Sequence, residues 1–154
     1  MTEEELPESN YIRWNQKECS ACSRCLMACA TYHCGAVALH LSAIKWVEGE
    51  FLHSFRHPLF CKQCNHPECY YACPLKDVAL CIDSVTGARY INKDECIGCG
   101  KCIEACPFEV KRINLDEGKG VAIKCDLCKG RASGPVCVGV CDRQALTLVK
   151  RGEE

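Results

Sequence analysis

The stretch that decides the fold is Cys96-Ile-Gly-Cys-Gly-Lys-Cys-Ile-Glu-Ala-Cys106-Pro107, which spaces four cysteines as C-x2-C-x2-C-x3-C. The same spacing occurs near the start of the chain, from Cys19 to Cys29. Two further groups widen the middle gap, to four residues between Cys64 and Cys69 and to eight between Cys128 and Cys137. These four groups account for sixteen of the 18 cysteines in the chain.

The cysteine content indicates that the sulfurs hold the fold together. With 18 cysteines in 154 residues, about 12% of the positions are thiols, above the ~8–10% that is typical of a cysteine scaffold. Without them, only about a third of the chain is hydrophobic, and short domains with little apolar burial depend on crosslinks or metals. We therefore expect the cysteines to be structural as well as chemical.

The spacing favours iron-sulfur clusters over other uses of cysteine. In a run of this type, three close thiolates take three corners of a cubane and the fourth, one helical turn on, reaches a second cluster. A zinc ribbon instead joins two C-x2-C pairs that lie about 15 to 20 residues apart, and here the third cysteine comes too soon. Haem attachment is excluded because no C-x2-C pair is followed by His.

Cys34 and Cys81 are left outside the groups, and we predict that neither is a ligand. Cys81 lies in the apolar run 78–82, where a thiol serves as a small hydrophobe. Cys34 has a rival interpretation as a substitute ligand for the first group. We interpret His53, His57 and His66 as surface or loop histidines.

Charge and hydropathy exclude several classes of protein. The 19 basic and 20 acidic residues give a formal charge of −1, which offers no reason to expect nucleic-acid binding. No stretch of about 20 apolar residues could span a bilayer, and the acidic residues 1–8 do not resemble a secretory signal. We therefore expect a cytoplasmic protein without a membrane span. Because disulfides belong to oxidising compartments, we expect no disulfides either.

Short strands and single helical turns are predicted between the cysteine groups, so the fold class is α+β. Segments 11–14 and 145–149 are expected to pair and join the two ends of the chain. Pro74 and Pro107 are expected to end two of the helical turns, since proline cannot continue a helix. The predicted helical turns are 26–29, 70–73 and 103–106, and the predicted hairpins pair 43–47 with 51–55, 79–82 with 89–91 and 110–115 with 121–124.

The third group, from Cys96 to Pro107 after Thr86-Gly-Ala-Arg-Tyr-Ile-Asn, resembles a bacterial two-cluster ferredoxin. All four groups in order resemble the four-cluster iron-sulfur subunits of molybdenum and tungsten oxidoreductases, and this similarity covers residues 11–149. The resemblance implies tandem ferredoxin-like modules with short helices, small hairpins and four 4Fe-4S clusters. Ala30 and Asp142 depart from the family pattern, since they stand where ferredoxin runs have proline.

In that family the last cysteine of each group serves the cluster of another group. The resemblance implies that the first and fourth groups share two clusters and that the second and third share two more. The implied sets are Cys19, Cys22, Cys25 with Cys141; Cys125, Cys128, Cys137 with Cys29; Cys61, Cys64, Cys69 with Cys106; and Cys96, Cys99, Cys102 with Cys73. The expected organisation is an acidic flexible tail (1–10), an outer module (11–60 plus 107–150) and an inner module (61–106).

The same resemblance implies an electron-transfer subunit rather than an enzyme. A short chain of this kind is most similar to the small polyferredoxin subunits of tungsten aldehyde oxidoreductases and tungsten-dependent benzoyl-coenzyme A reductases. It implies a hetero-oligomer with a tungsten- or molybdenum-pterin catalytic subunit and a flavoprotein or ferredoxin as second redox partner. Iron-sulfur subunits of soluble hydrogenases and formate dehydrogenases, and a free polyferredoxin carrier, remain alternatives.

The residues themselves show no substrate chemistry. No nucleotide fingerprint is present, because the Gly98-x-Gly100 pair lacks a third glycine and follows no long strand. No nucleophile and base stand in a recognisable arrangement, so no catalytic residue is predicted. Nine basic residues lie close in sequence to the ligands and are expected to moderate the cluster charge, unless they are ordinary surface cations: Lys17, Arg24, Lys62, Lys93, Lys101, Lys111, Arg112, Lys124 and Lys129.

Overall fold

Short antiparallel strand pairs alternate with cysteine loops in the computed structural model, which describes residues 5–48 and 56–152. The strands are β1 (Tyr11–Trp14), β2 (Lys45–Val47), β3 (His57–Leu59), β4 (Leu80–Ile82), β5 (Arg89–Ile91), β6 (Asn114–Asp116), β7 (Val121–Ile123) and β8 (Leu146–Val149). The helices are α1 (Arg24–Cys34), α2 (Glu68–Tyr71), α3 (Lys101–Ala105) and α4 (Val136–Gly139), with a 3-10 turn at Leu39–Leu41. The fold is α+β, as predicted.

The two ends of the described chain are joined by a strand pair. β1 and β8 run antiparallel, with Tyr11 opposite Val149 and Trp14 opposite Leu146. Ile12 and Leu146 turn into the core, with 2% and 6% of their surfaces exposed. The predicted pairing of these segments is therefore confirmed, and it brings the first and fourth cysteine groups together.

The other three strand pairs are local hairpins. β4 pairs with β5 and β6 with β7, where the sequence predicts hairpins. The third hairpin differs from its prediction, because β2 pairs with β3. The segment 51–55, predicted as the partner of β2, lies outside the described residues. Pro58 is accommodated in β3 because a two-stranded sheet has only edge strands, where the missing N–H need not face a partner.

Helix α1 is longer than the single turn that the sequence predicts. It runs for 11 residues and ends at Gly35, which has a φ of 70° and an amide that donates to the Thr31 carbonyl. Ala30 explains the difference, since alanine continues a helix where proline in the related runs would stop it. Ala30 is fully buried, so the extra turns are anchored by packing.

Two clusters of buried side chains form the core. The first includes Ile12, Leu26 and Leu146, and the second includes Leu80 and Ile113. Helix α1 packs against α4 near the first cluster, and α2 packs against α3 near the second. Both clusters contain cysteines, so apolar packing and the cysteine loops share the same interior.

Residues 5–10 differ from the free tail expected for the start of the chain. Ser9 is fully buried, and Leu6 packs against the second core cluster. Arg151 fixes this segment from the other end of the chain. Its Nε donates to the Ser9 carbonyl at 2.9 Å and its Nη2 donates to the Lys62 carbonyl at 2.8 Å. These bonds tie both ends of the described chain to the second cysteine group.

Candidate iron-sulfur centres

Each cysteine group turns its chain with a left-handed residue two positions after its first cysteine. These residues are Ala21, Gln63, Gly98 and Leu127, with φ values of 56°, 47°, 66° and 57°. The turn lets successive thiols of a C-x2-C pair face the same point. For the three residues other than glycine, this conformation costs roughly 1–2 kcal/mol. The shared strain indicates that convergence of the sulfurs shapes each loop.

The structure brings the sixteen grouped cysteines into four sets, each combining three thiols of one group with the last thiol of another. We call these sites 1 to 4. One cavity is lined by the site 1 thiols, one by those of site 3 and one by those of site 4. In site 2, the Cys137 thiol interacts electrostatically with Cys128 and Cys29, and the Cys125 thiol interacts with Cys137. The members are Cys19, Cys22, Cys25 and Cys141 (site 1); Cys125, Cys128, Cys137 and Cys29 (site 2); Cys61, Cys64, Cys69 and Cys106 (site 3); and Cys96, Cys99, Cys102 and Cys73 (site 4).

Backbone amides donate to a cysteine sulfur in every site. The Ala145 N–H donates to Cys141 Sγ at 3.3 Å in site 1. The other sites each have an N–H···S contact of 3.4 Å: Val136 to Cys128 in site 2, Arg112 to Cys106 in site 3 and Ala122 to Cys96 in site 4. Hydrogen bonds to the sulfurs stabilise thiolate ligands and tune cluster potential. The donor sets therefore fit 4Fe-4S clusters.

Burial makes the free thiols hard to ionise. It raises the pKa of Cys25 and of Cys102 to about 12, and that of Cys69 to about 11. All 18 cysteines are free thiols, so disulfides do not account for their convergence. A bound metal deprotonates a coordinating thiol outright, so metal ligation is the chemistry that this environment accommodates.

One of the nine basic residues expected to moderate the cluster charge is deeply buried. Lys124 has 7% of its surface exposed, and its Nζ donates to Cys61 Sγ at 3.1 Å. Burial alone would lower the pKa of Lys124, but the neighbouring Cys61 and Cys69 sulfurs raise it above its ordinary value. The Lys124 ammonium therefore lies against site 3.

Sequence reasoning missed two further side chains beside the cysteine sets. Arg89, in strand β5, is fully buried and lines the site 3 cavity. His33 Nε2 lies 3.7 Å from Cys128 Sγ and 3.4 Å from a carboxylate oxygen of Asp126. The only signal for Arg89 was a charge within a predicted strand. Nothing in the sequence places His33, on the extra turns of α1, near the fourth group.

The two cysteines outside the groups lie away from the three cysteine-lined cavities. The Cys34 thiol contacts the Leu41 carbonyl at 3.8 Å, and the Cys81 thiol contacts the Val78 carbonyl at 3.3 Å. Cys81, predicted to serve as a small hydrophobe, is partly exposed. Strand alternation explains this, since Leu80 turns inward and its neighbour turns outward.

Two of the three histidines considered in the sequence lie within the described residues. His66 is exposed and meets the Tyr71 ring edge-on, with centroids 4.7 Å apart. His57 stacks on Trp14, with ring centroids 5.3 Å apart. Both therefore lie in aromatic contacts rather than among the cysteines. His53 falls outside the described part of the chain.

Residues 52–151 match the family described as "4Fe-4S dicluster domain". The chain belongs to this family. It is 38% identical over 147 residues to the aliphatic sulfonate oxidoreductase polyferredoxin-like subunit of Pyrococcus furiosus, covering 96% of this chain and 80% of the relative. It is 32% identical over 145 residues to the putative electron transport protein YsaA of Escherichia coli, covering 90% of this chain and 88% of that protein.

The solved structures show a shared fold. The active site complex BamBC of benzoyl coenzyme A reductase, with 1,5-dienoyl-CoA, contains a chain that matches with a TM-score of 0.54 and 20% identity. The match covers 94% of this chain and 78% of that chain. The family match and the two relatives together identify a 4Fe-4S electron-transfer protein. Among the described residues, no helix is long and apolar enough to cross a membrane.

Proposed function

We propose that this protein is the electron-transfer subunit of an oxidoreductase complex and relays electrons through four 4Fe-4S clusters held at sites 1 to 4. The sixteen grouped cysteines are the proposed iron ligands, and Cys34 and Cys81 are not. The sites fall into two proposed modules, an outer one of residues 11–60 plus 107–150 with sites 1 and 2, and an inner one of residues 61–106 with sites 3 and 4.

The observation that carries this proposal is the linear order of the four sites. Three pairs of thiols from successive sites lie close enough to interact electrostatically: Cys25 with Cys137 between sites 1 and 2, Cys61 with Cys125 between sites 2 and 3, and Cys69 with Cys102 between sites 3 and 4. A 4Fe-4S cluster held by thiolates supplies one-electron chemistry at a potential set by its surroundings. The chain's own contribution is to hold four such groups in a row.

The two ends of this row reach the surface. Cys22 in site 1 and Cys99 in site 4 are exposed thiols. Ile97, beside Cys99, has 65% of its surface exposed, and it lines the site 4 cavity. A partner that docks at site 4 would cover this exposed side chain. We assign these ends to the two redox partners of the relay.

The proposed partners are a catalytic subunit and a second redox protein. The names of the relatives support an oxidoreductase complex. The resemblance of the four cysteine groups to subunits of molybdenum and tungsten enzymes favours a tungsten- or molybdenum-pterin subunit of the aldehyde-oxidoreductase type at one end. A flavoprotein or ferredoxin is proposed at the other end. A cytoplasmic location is proposed because free thiolate ligands need a reducing compartment.

The interleaved ligand sets are tested by replacing Cys73 with serine. Cys73 belongs to the second group in sequence but lines the site 4 cavity. We expect Cys73→Ser to change the EPR signature of the site 4 cluster and to leave site 3 unchanged. Cys81→Ser is the matched control, since Cys81 lies nearby in β4 and is not a proposed ligand. A spectrum in which site 3 changes instead would contradict the proposed sets.

Copurification separates the proposed subunit from its alternatives. Anaerobic purification of the native protein should recover a stoichiometric partner that contains tungsten or molybdenum. A hydrogenase or formate dehydrogenase partner would redirect the assignment to those complexes. Recovery of the chain alone, with its clusters intact, would favour a free polyferredoxin carrier.

A further inference from the structure

Site 3 differs from the other sites in the buried positive charge around it. The Lys124 ammonium lies 3.1 Å from Cys61 Sγ. Arg89, which is fully buried, interacts electrostatically with Cys64, Cys69 and Cys61. Arg112 also lines this cavity and is partly buried, whereas Lys62 and Glu68 line it as exposed side chains of opposite charge. These charges are held by the fold, since Arg89 Nη1 donates to the Gly87 carbonyl at 2.5 Å.

Some of the guanidinium donors in this cavity lack hydrogen-bond partners. Within the described residues, Arg89 Nε, Arg112 Nε and Arg112 Nη1 are buried without a hydrogen-bond acceptor. A buried N–H without an acceptor is destabilising, because it has lost its hydrogen bond to water. Sulfur atoms of an anionic cluster in the cavity would supply acceptors and opposite charge together. The cavity is therefore built for a group that carries negative charge.

The other sites have no comparable arrangement among the described residues. The site 4 cavity is lined by cysteines, glycines, proline and aliphatic side chains, without a charged group. At site 1, Arg24 forms an ion pair with Asp142, and both side chains are more than half exposed. At site 2, the Asp126 carboxylate acts on Cys128 and Cys29, and the partly buried Arg131 acts on Cys128 with the opposite sign. The two deeply buried cations, Arg89 and Lys124, therefore lie at site 3, and Lys124 also acts on Cys125 of the neighbouring site 2.

We propose that site 3 has the highest reduction potential of the four and stores the first electron that enters the relay. The proposal rests on the proposed function, since it requires four bound clusters. Reduction by one electron adds one negative charge to a cluster, and fixed neighbouring cations stabilise that charge. The electron comes from the partner that reduces the relay and leaves to the other partner. Site 3 is an interior position, so the stored electron lies away from both ends.

The experiment is an EPR-monitored redox titration of the anaerobically purified protein with dithionite as reductant. Lys124→Met should shift the equilibrium of the first reduction at least tenfold toward the oxidised form. For one electron this lowers the midpoint potential by about 59 mV. Lys124→Arg should keep most of the potential of the unmodified protein because it keeps the positive charge. Lys119→Met is the matched control, since Lys119 is exposed in the turn of the same hairpin, and it should shift the equilibrium less than twofold.

Two further variants keep the proposal testable. Cys64→Ser alters a site 3 ligand and should change the EPR signal that reduces first. Arg112→Met should shift that signal in the same direction as Lys124→Met, and it replaces that variant if the latter does not retain its clusters. The proposal is overturned if Cys64→Ser leaves the first EPR signal unchanged, or if Lys124→Met and Lys119→Met shift the first reduction equally. A protein with fewer than four clusters would instead contradict the proposed function.

Discussion

Gly98 offers a direct test of how the third cysteine loop is held. It lies between Cys96 and Cys99 with a φ of +66°, and a Cβ added there would lie 2.2 Å from the Gly120 carbonyl oxygen. Gly120 ends the turn between β6 and β7, so the third cysteine loop lies directly against the backbone of this turn. Gly100, in the same loop, has a φ of +75° and open space around its Cβ position. Alanine variants of these two glycines therefore separate the cost of left-handed backbone from the cost of a steric clash.

The expected magnitudes follow from these two geometries. Gly100→Ala incurs only the left-handed penalty of about 1–2 kcal/mol. Gly98→Ala adds an overlap that the neighbouring backbone must relieve, at about 1–3 kcal/mol more. Since cluster loss is irreversible, stability is measured as a rate. We expect cluster loss about 5- to 30-fold faster for Gly100→Ala, and faster again for Gly98→Ala by about 5- to 150-fold.

The assay follows the visible absorbance of the clusters in denaturant under anaerobic conditions, with iron per chain measured before and after. Gly98→Ala should also lose iron from site 4 first, because Cys96 and Cys99 flank the displaced residue. Equal rates for the Gly98 and Gly100 variants would refute the proposed contact between the third cysteine loop and the β6–β7 turn.

Three other predictions concern stability. Ala21→Gly should slow cluster loss, since glycine relieves a left-handed strain of about 1–2 kcal/mol, offset in part by a more flexible unfolded chain; faster loss would show that Ala21 is not strained. Gln63→Leu should destabilise the protein by about 1–3 kcal/mol per buried group left unpaired, because the Gln63 amide donates to the Cys125 carbonyl at 2.6 Å and its oxygen accepts from the Arg89 amide at 2.8 Å. Unchanged unfolding of Gln63→Leu would contradict that role. Removal of the clusters should abolish cooperative thermal unfolding, as metal binding and folding are coupled in small metalloproteins, and circular dichroism would detect a retained transition.

Local sequence signals predicted the strand pairs well. β5 has the predicted bounds, and the other strands paired as predicted except where β3 replaced residues 51–55. The length of α1 could have been inferred from Ala30, because the absence of proline removes the barrier to further helical turns. The prediction stopped at one turn because it was based on the cysteine spacing and did not consider Ala30, which follows Cys29.

The surroundings of the sites were less accessible to sequence reasoning. Proximity in sequence placed Lys124 among nine comparable cations, yet it alone is deeply buried among them. Its burial depends on β7, where Val121, Ala122 and Ile123 are all buried. The alternation of side chains along this strand therefore does not show which face is exposed to solvent. Arg89 reaches site 3 only through the fold of the hairpin between the second and third groups. Such long-range packing has no local signature.

The measurement that tests the central claim most directly is the iron, acid-labile sulfide and zinc content of the anaerobically purified protein. Four 4Fe-4S clusters predict about sixteen iron and sixteen sulfide per chain, after subtraction of any partner's metal, with negligible zinc. Zinc without sulfide, in a colourless protein, would contradict the electron-transfer function.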